Sequence, residues 1–134
     1  MHSAMMFPGM YEEFTAIDCW TGGPIHCLYQ AVVVAVATRH ADAVDIKFLA
    51  NGRGVWISLP LSAWAEYQRQ TGHTISDRLA VETAGRFLKT SIEQGYDSGR
   101  DMYAVGMDEA LHHVVAVLKE HNAPQELMPA AVSA

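Results

Sequence analysis

Positive charge is scarce in this chain. No Lys or Arg precedes Arg39, and only Lys119 follows Arg100. Fifteen acids stand against nine bases, giving a formal net charge of −6 at pH 7. A deficit of that size argues against nonspecific binding to phosphate backbones or anionic membrane surfaces. The basic residues sit in the middle, mixed with acids, and form no stripe. Neither nucleic acid nor membrane is therefore expected as a partner. Cysteine is almost absent too. Cys19 and Cys27 are the only two, too few for a disulfide framework, and they read as free thiols in a reducing compartment. Long apolar runs are missing. The most apolar stretch, Ala31–Ala37, is far too short to span a bilayer. The first residues lack the basic start and apolar core of a secretory signal. A cytoplasmic, soluble protein is the expectation.

Catalytic and nucleotide motifs are lacking as well. No G-x-S-x-G, H-E-x-x-H or phosphate loop occurs. Gly52-Arg53-Gly54 lacks the strand–loop–helix setting and the Lys-Ser/Thr ending of such a loop. No cofactor is implied. The 134 residues, half of them hydrophobic, fit one globular domain. A chain of this length buries roughly two-thirds of its unfolded surface, so it needs no metal or disulfide to fold.

What the chain does have is a hairpin. In AVDIKFLANGRGVWISLP, Ala43 to Pro60, two runs rich in β-branched and aromatic residues flank Asn51-Gly52. Asn and Gly tolerate the positive φ that tight hairpin turns need. Upstream, Glu13–Cys19 reads as a strand and Thr21–Pro24 as a turn. Ile25–Thr38 is ambiguous. Pro24 suits the first position of a helix, whereas Val32, Val33, Val34 and Val36 favour an extended chain. As a strand it would be apolar on both faces from Ala31 to Ala37, hence central in the sheet. His40-Ala41-Asp42 reads as the next turn.

The second half is helical. Leu61–Thr71 places Leu61, Trp64, Ala65, Tyr67 and Gln68 on one stripe, and Gly72 stops it. Thr74-Ile75-Ser76-Asp77 resembles a capping box opening a helix that runs to Gln94. Ala80, Val81, Ala84, Phe87, Leu88, Ser91 and Ile92 fall on its core face. Arg78, Glu82, Arg86, Lys89 and Glu93 fall on the opposite, solvated face, with Glu82–Arg86 and Lys89–Glu93 as i,i+4 pairs. Gly95 ends the helix and Tyr96–Arg100 is a loop. Met102–Val105 is a candidate fifth strand, and Asp108 caps a last helix, Glu109–His121. The expected fold is α+β: an antiparallel four-stranded, possibly five-stranded, meander followed by three helices packed on one face in two layers. Residues 1–11 read as a loosely ordered N-terminus, 12–122 as the single domain and 123–134 as a flexible tail.

Three groups of residues carry candidate chemistry. Tyr29, Gln30, Trp56, Trp64 and Tyr67 offer an aromatic ligand pocket between sheet and helices, although aromatics at these spacings are more often core. Cys19, His26 and Cys27 are weak metal candidates. Zinc takes thiolate and imidazole, but a structural site wants four ligands and no C-x₂-C pair is present. A Cys–His nucleophile pair would lack nearby cations to ionise the thiol. His112-His113 sit about 100° apart on a helix, and read as solvated residues with Asp108 and Glu109 as acidic neighbours. The sequence thus favours a non-catalytic protein-interaction or self-associating module, acting as a homodimer or on an unknown protein partner. A small-molecule-binding domain using the aromatic pocket is the alternative, and a small metal-dependent Cys/His enzyme the third reading.

Overall fold

A computed structural model describes residues 9–35, 43–95 and 100–129. Five strands form one sheet in the order β1 to β5: β1 Glu13–Ile17, β2 Pro24–Ala35, β3 Ala43–Ala50, β4 Arg53–Pro60 and β5 Met102–Ala104. The helices are α1 Leu61–Thr71, α2 Asp77–Glu93 and α3 Met107–Glu120. The chain is an α+β fold, with a mostly antiparallel sheet followed by helices. The turn at 40–42, the end of the Ile25–Thr38 segment and most of the 96–100 loop lie outside the described residues.

Alternation builds the two layers. Along β3 Val44, Ile46, Phe48 and Ala50 are buried while their neighbours are half-covered, and β4 repeats the pattern with Val55, Ile57 and Leu59. A period of two puts these residues on one face, against which the helices pack. The hairpin turn has the expected geometry: Asn51 and Gly52 both have positive φ, +50° and +85°. Asn51 also ties the turn to β2, its Oδ1 accepting from His26 N at 2.8 Å.

β2 is a strand, so the valines outweigh the helix-starting proline. It lies between β1 and β3, inside the sheet as expected, but the two neighbours do not flank it along its whole length. β1 pairs only with Pro24–Leu28, and Tyr29 N still donates to Glu12 O at 2.7 Å. Beyond a bulge at Gln30, residues Ala31–Ala35 pair with β3 on one side, and no described strand lies along the other. Among the described residues, the half of β2 that is apolar on both faces is thus paired on one side only. Val33 and Val34 are 46% and 62% exposed.

β5 joins the sheet parallel to β4. The two intervening helices make this a crossover, which the meander reading did not include. Gly72 ends α1 at φ +77°, its N–H bonded to Gln68 O. Two caps differ from expectation. Ser76, not Thr74, caps α2 by accepting from Leu79 N at 3.1 Å. Gly106 precedes α3, so Asp108 lies inside its first turn, where a carboxylate still suits the positive helix end. Two segments read as loose have packed residues. Tyr11 is buried against Gly85 of α2. Gln125–Leu127 forms a 3-10 turn, and Tyr67 Oη donates to Leu127 O at 2.7 Å.

Candidate functional site

The five pocket residues do not gather. Tyr67 and Tyr29 lie on the helix side, where Tyr29 packs edge-on to Phe48 at 6.0 to 6.1 Å like its neighbour Phe14. Trp56 alternates with the buried Val55 and Ile57, so it projects from the opposite face, under Lys47 Nζ at 5.7 Å. Gln30 is exposed at the bulge. Trp64 spends its indole N–H on Ile75 O at 3.1 Å. The polar handles of Trp64 and Tyr67 are used within the protein.

The thiols and His26 are also separated. Cys27 is buried opposite Phe14 and Ala50, whereas Cys19 is exposed beyond the end of β1. His26, next to Cys27 on the strand, points to the other face and pairs with Glu13 at 2.8 Å. Among the described residues, no three His, Cys, Asp or Glu side chains converge on a metal-sized site.

The structure instead assembles a polar chain that the sequence reading placed in solvent. Glu82 is fully buried. It accepts Met10 N and Tyr11 N, both at 2.9 Å, and His121 Nε2 at 3.2 Å. Tyr11 Oη donates to Glu120 at 3.0 Å, and Arg86 Nε donates to the same carboxylate at 3.2 Å. Arg86 Nη1 then donates to His113 Nδ1 at 2.9 Å. Two corrections follow. Arg86 turns to Glu120 and His113 instead of to Glu82, while the expected Lys89–Glu93 pair forms at 2.7 Å. His113 is buried edge-on to Phe87, leaving only His112 in solvent. The cause is coverage. The segment at Tyr11 and helix α3 close over the side of α2 that the charge pattern assigns to solvent.

This setting tunes two groups. Burial first, then the bond to Glu120, pushes the Tyr11 phenol up to about 12. Burial, with Arg86 and His112 adding like charge, pulls the His113 imidazole down to about 4. Its Nδ1 accepts from Arg86, so its proton resides on Nε2. An unfolded histidine titrates near 6.5, so between those values the unfolded chain binds the extra proton. The contribution of neutral His113 is therefore complete above about pH 6.5 and is lost as pH falls toward 4, by up to about 1.4 kcal/mol per unit. Urea midpoints of wild type and His113→Gln at neutral pH and at pH near 5 check this. The variant should show the shallower acid loss, and equal slopes would contradict the assignment.

The second notable surface is the sheet face away from the helices. Ile17, Leu28, Val33 and Met102 project there, each more than two-fifths exposed, with Leu49 and Trp56 half-covered between them. Its β3 charges are Asp45 and Lys47, two residues apart. Asp45 Oδ1 is buried with no hydrogen-bond partner among the described residues. No described helix is long and apolar enough to cross a membrane. No protein-family model, curated protein or solved structure matches the chain.

Proposed function

We propose that this chain is a non-catalytic module that acts by self-association, through the far half of β2 and the adjoining outer face of the sheet. The observation that carries the reading is the pair Val33 and Val34, exposed on a strand edge with no described neighbour. An open edge is a row of unpaired N–H and C=O groups, and proteins normally blunt it with Lys, Pro or a covering element. Ala31–Ala35 carries neither Lys nor Pro. Antiparallel pairing of this segment with itself is isologous, so one patch serves both subunits. Valine against valine across such a pair is a favourable cross-strand contact.

Charge does not bar a second copy at this face. The net charge of −6 opposes association of most surfaces of this chain with each other. The β3 row of the outer face is the exception, because Asp45 and Lys47 balance there. The polar chain around Glu82 supports the non-catalytic part of the reading, since its members bind one another and backbone amides.

Sedimentation across a range of protein concentrations tests the proposal. The wild type should approach twice its 14.7 kDa mass, with a melting temperature that rises with concentration. Val33→Lys should give a monomer with an unchanged circular dichroism spectrum. A wild type that stays monomeric at millimolar concentration overturns the reading.

A further inference from the structure

Two adjoining hollows lie where the C-terminal half of α2 meets the start of α3 and β5. The smaller, about 250 Å³, is lined by Phe87, Ser91, Arg100, Tyr103, Ala104 and Glu109. The larger, about 300 Å³, shares Phe87, Ser91 and Glu109 and continues past Gln94 to His112 and His113. The larger stands at the small end of ligand-pocket sizes, roughly 300 to 1,000 Å³, and the smaller just below it. They suit a metabolite of few atoms rather than a nucleotide or a long peptide.

The charges of the lining select the occupant. Arg86 borders the larger hollow but is balanced by Glu120 at 3.2 Å. In the smaller hollow the fixed charges are Arg100 and Glu109, and neither forms an ion pair among the described residues. One wall thus offers one cation and one anion that do not satisfy each other. A phosphate would meet Glu109, and a polyamine would meet Arg100. A zwitterion satisfies both. We infer that this cleft is a binding site for a free α-amino acid, its carboxylate on Arg100 and its ammonium on Glu109.

The aromatic shelf fits that occupant. Phe87 and Tyr103 meet edge-to-face at 6.0 Å, and the Arg100 guanidinium lies over the Tyr103 ring at 5.8 Å, which holds it at the wall. An ammonium at Glu109 borders the same aromatic surface. Ser91, buried and lining both hollows, adds a hydroxyl at their junction. The ligand's side chain extends into the larger hollow, where Thr90, Gln94 and the Nε2–H of His113 supply polar contacts. The site lies between α2, the start of α3 and β5, and does not depend on self-association.

Titration of the full chain with free amino acids of acidic, basic, polar and apolar type, followed by amide chemical shifts, tests the inference. At least one should bind saturably with shifts centred on Phe87, Ser91 and Glu109. Its N-acetyl and its C-amide derivatives should each bind about tenfold or more weakly. Glu109→Gln and Arg100→Gln alter exposed residues, so both should fold, and each should weaken the free amino acid by a similar factor. The inference is overturned if no amino acid perturbs these residues at tens of millimolar. It is equally overturned if blocked and free forms bind alike, or if both variants bind as wild type does.

Discussion

Gly85→Ala is expected to destabilise the protein, although the same change in an exposed helix interior would help it. Alanine is favoured over glycine there by about 1 kcal/mol. At position 85, however, a Cβ would stand 2.6 Å from Tyr11 Cβ and 2.7 Å from the Tyr11 carbonyl oxygen, with Phe48 Cζ at 3.2 Å. A carbonyl oxygen cannot rotate away as a side-chain tip does. Either α2 retreats from the sheet or the backbone at Tyr11 moves. That backbone is fastened by the Tyr11 N–H bond to Glu82, and the Tyr11 ring packs on Phe14 at 5.8 Å. Overpacking of this kind costs roughly 1–3 kcal/mol and exceeds the propensity gain when backbone must shift. The expected net effect is a urea midpoint lowered by roughly 1–2 kcal/mol of stability. A Gly85→Ala protein as stable as wild type would mean that the N-terminal segment does not press on α2.

The contrast between Gly85 and Asn51-Gly52 shows what the sequence makes legible. A two-residue turn is a local matter, settled by which residues tolerate positive φ, and the hairpin stands where the sequence places it. Core faces with a clean period are legible for the same reason, so Ala80, Ala84, Leu88 and Ile92 are all buried as expected. Coverage from outside an element is not local. One helical period separates a core face from a solvent face, but it says nothing of a third neighbour arriving from the far side. That is why the pattern assigns Glu82 and His113 to solvent. A signal was present: from Leu79 to Gly85 only Glu82 is charged, and a helix stretch apolar or small all round is a buried one. The valines of β2 are legible in part. Apolar residues on both faces usually mean a central strand, and β2 does lie between β1 and β3, yet among the described residues β1 stops short of the valines. The cleft at Arg100 and Glu109 joins residues from an inter-element loop and a helix start, a juxtaposition set by the crossover to β5.

Glu82→Ala is expected to cause the largest loss of any single change considered, about 3–5 kcal/mol. Deleting the carboxylate leaves three donors behind: Met10 N, Tyr11 N and His121 Nε2. The side chains of Glu82 and His121 are 0% and 2% exposed, so water does not readily replace the lost acceptor. Breaking a buried charged contact by removing one partner typically costs 3–5 kcal/mol, because the desolvated remainder stays unsatisfied. Glu82→Gln keeps one acceptor oxygen and should lose less. Glu93→Ala, on the same helix but paired with Lys89 in solvent, should be near neutral. Had the helix been oriented as the charge pattern suggests, Glu82 and Glu93 would behave alike, and equal urea midpoints for the two alanine variants would restore that view. Amide exchange at Tyr11 gives an independent readout and should accelerate in Glu82→Ala beyond the global loss. Gly85 and Glu82 act on the same short segment from two sides. Once either change displaces Tyr11, the other has less to disturb, so the double variant should lose less than the sum of the two single losses. Strict additivity would mean that the clash at Gly85 and the bonds at Glu82 are relieved by separate movements.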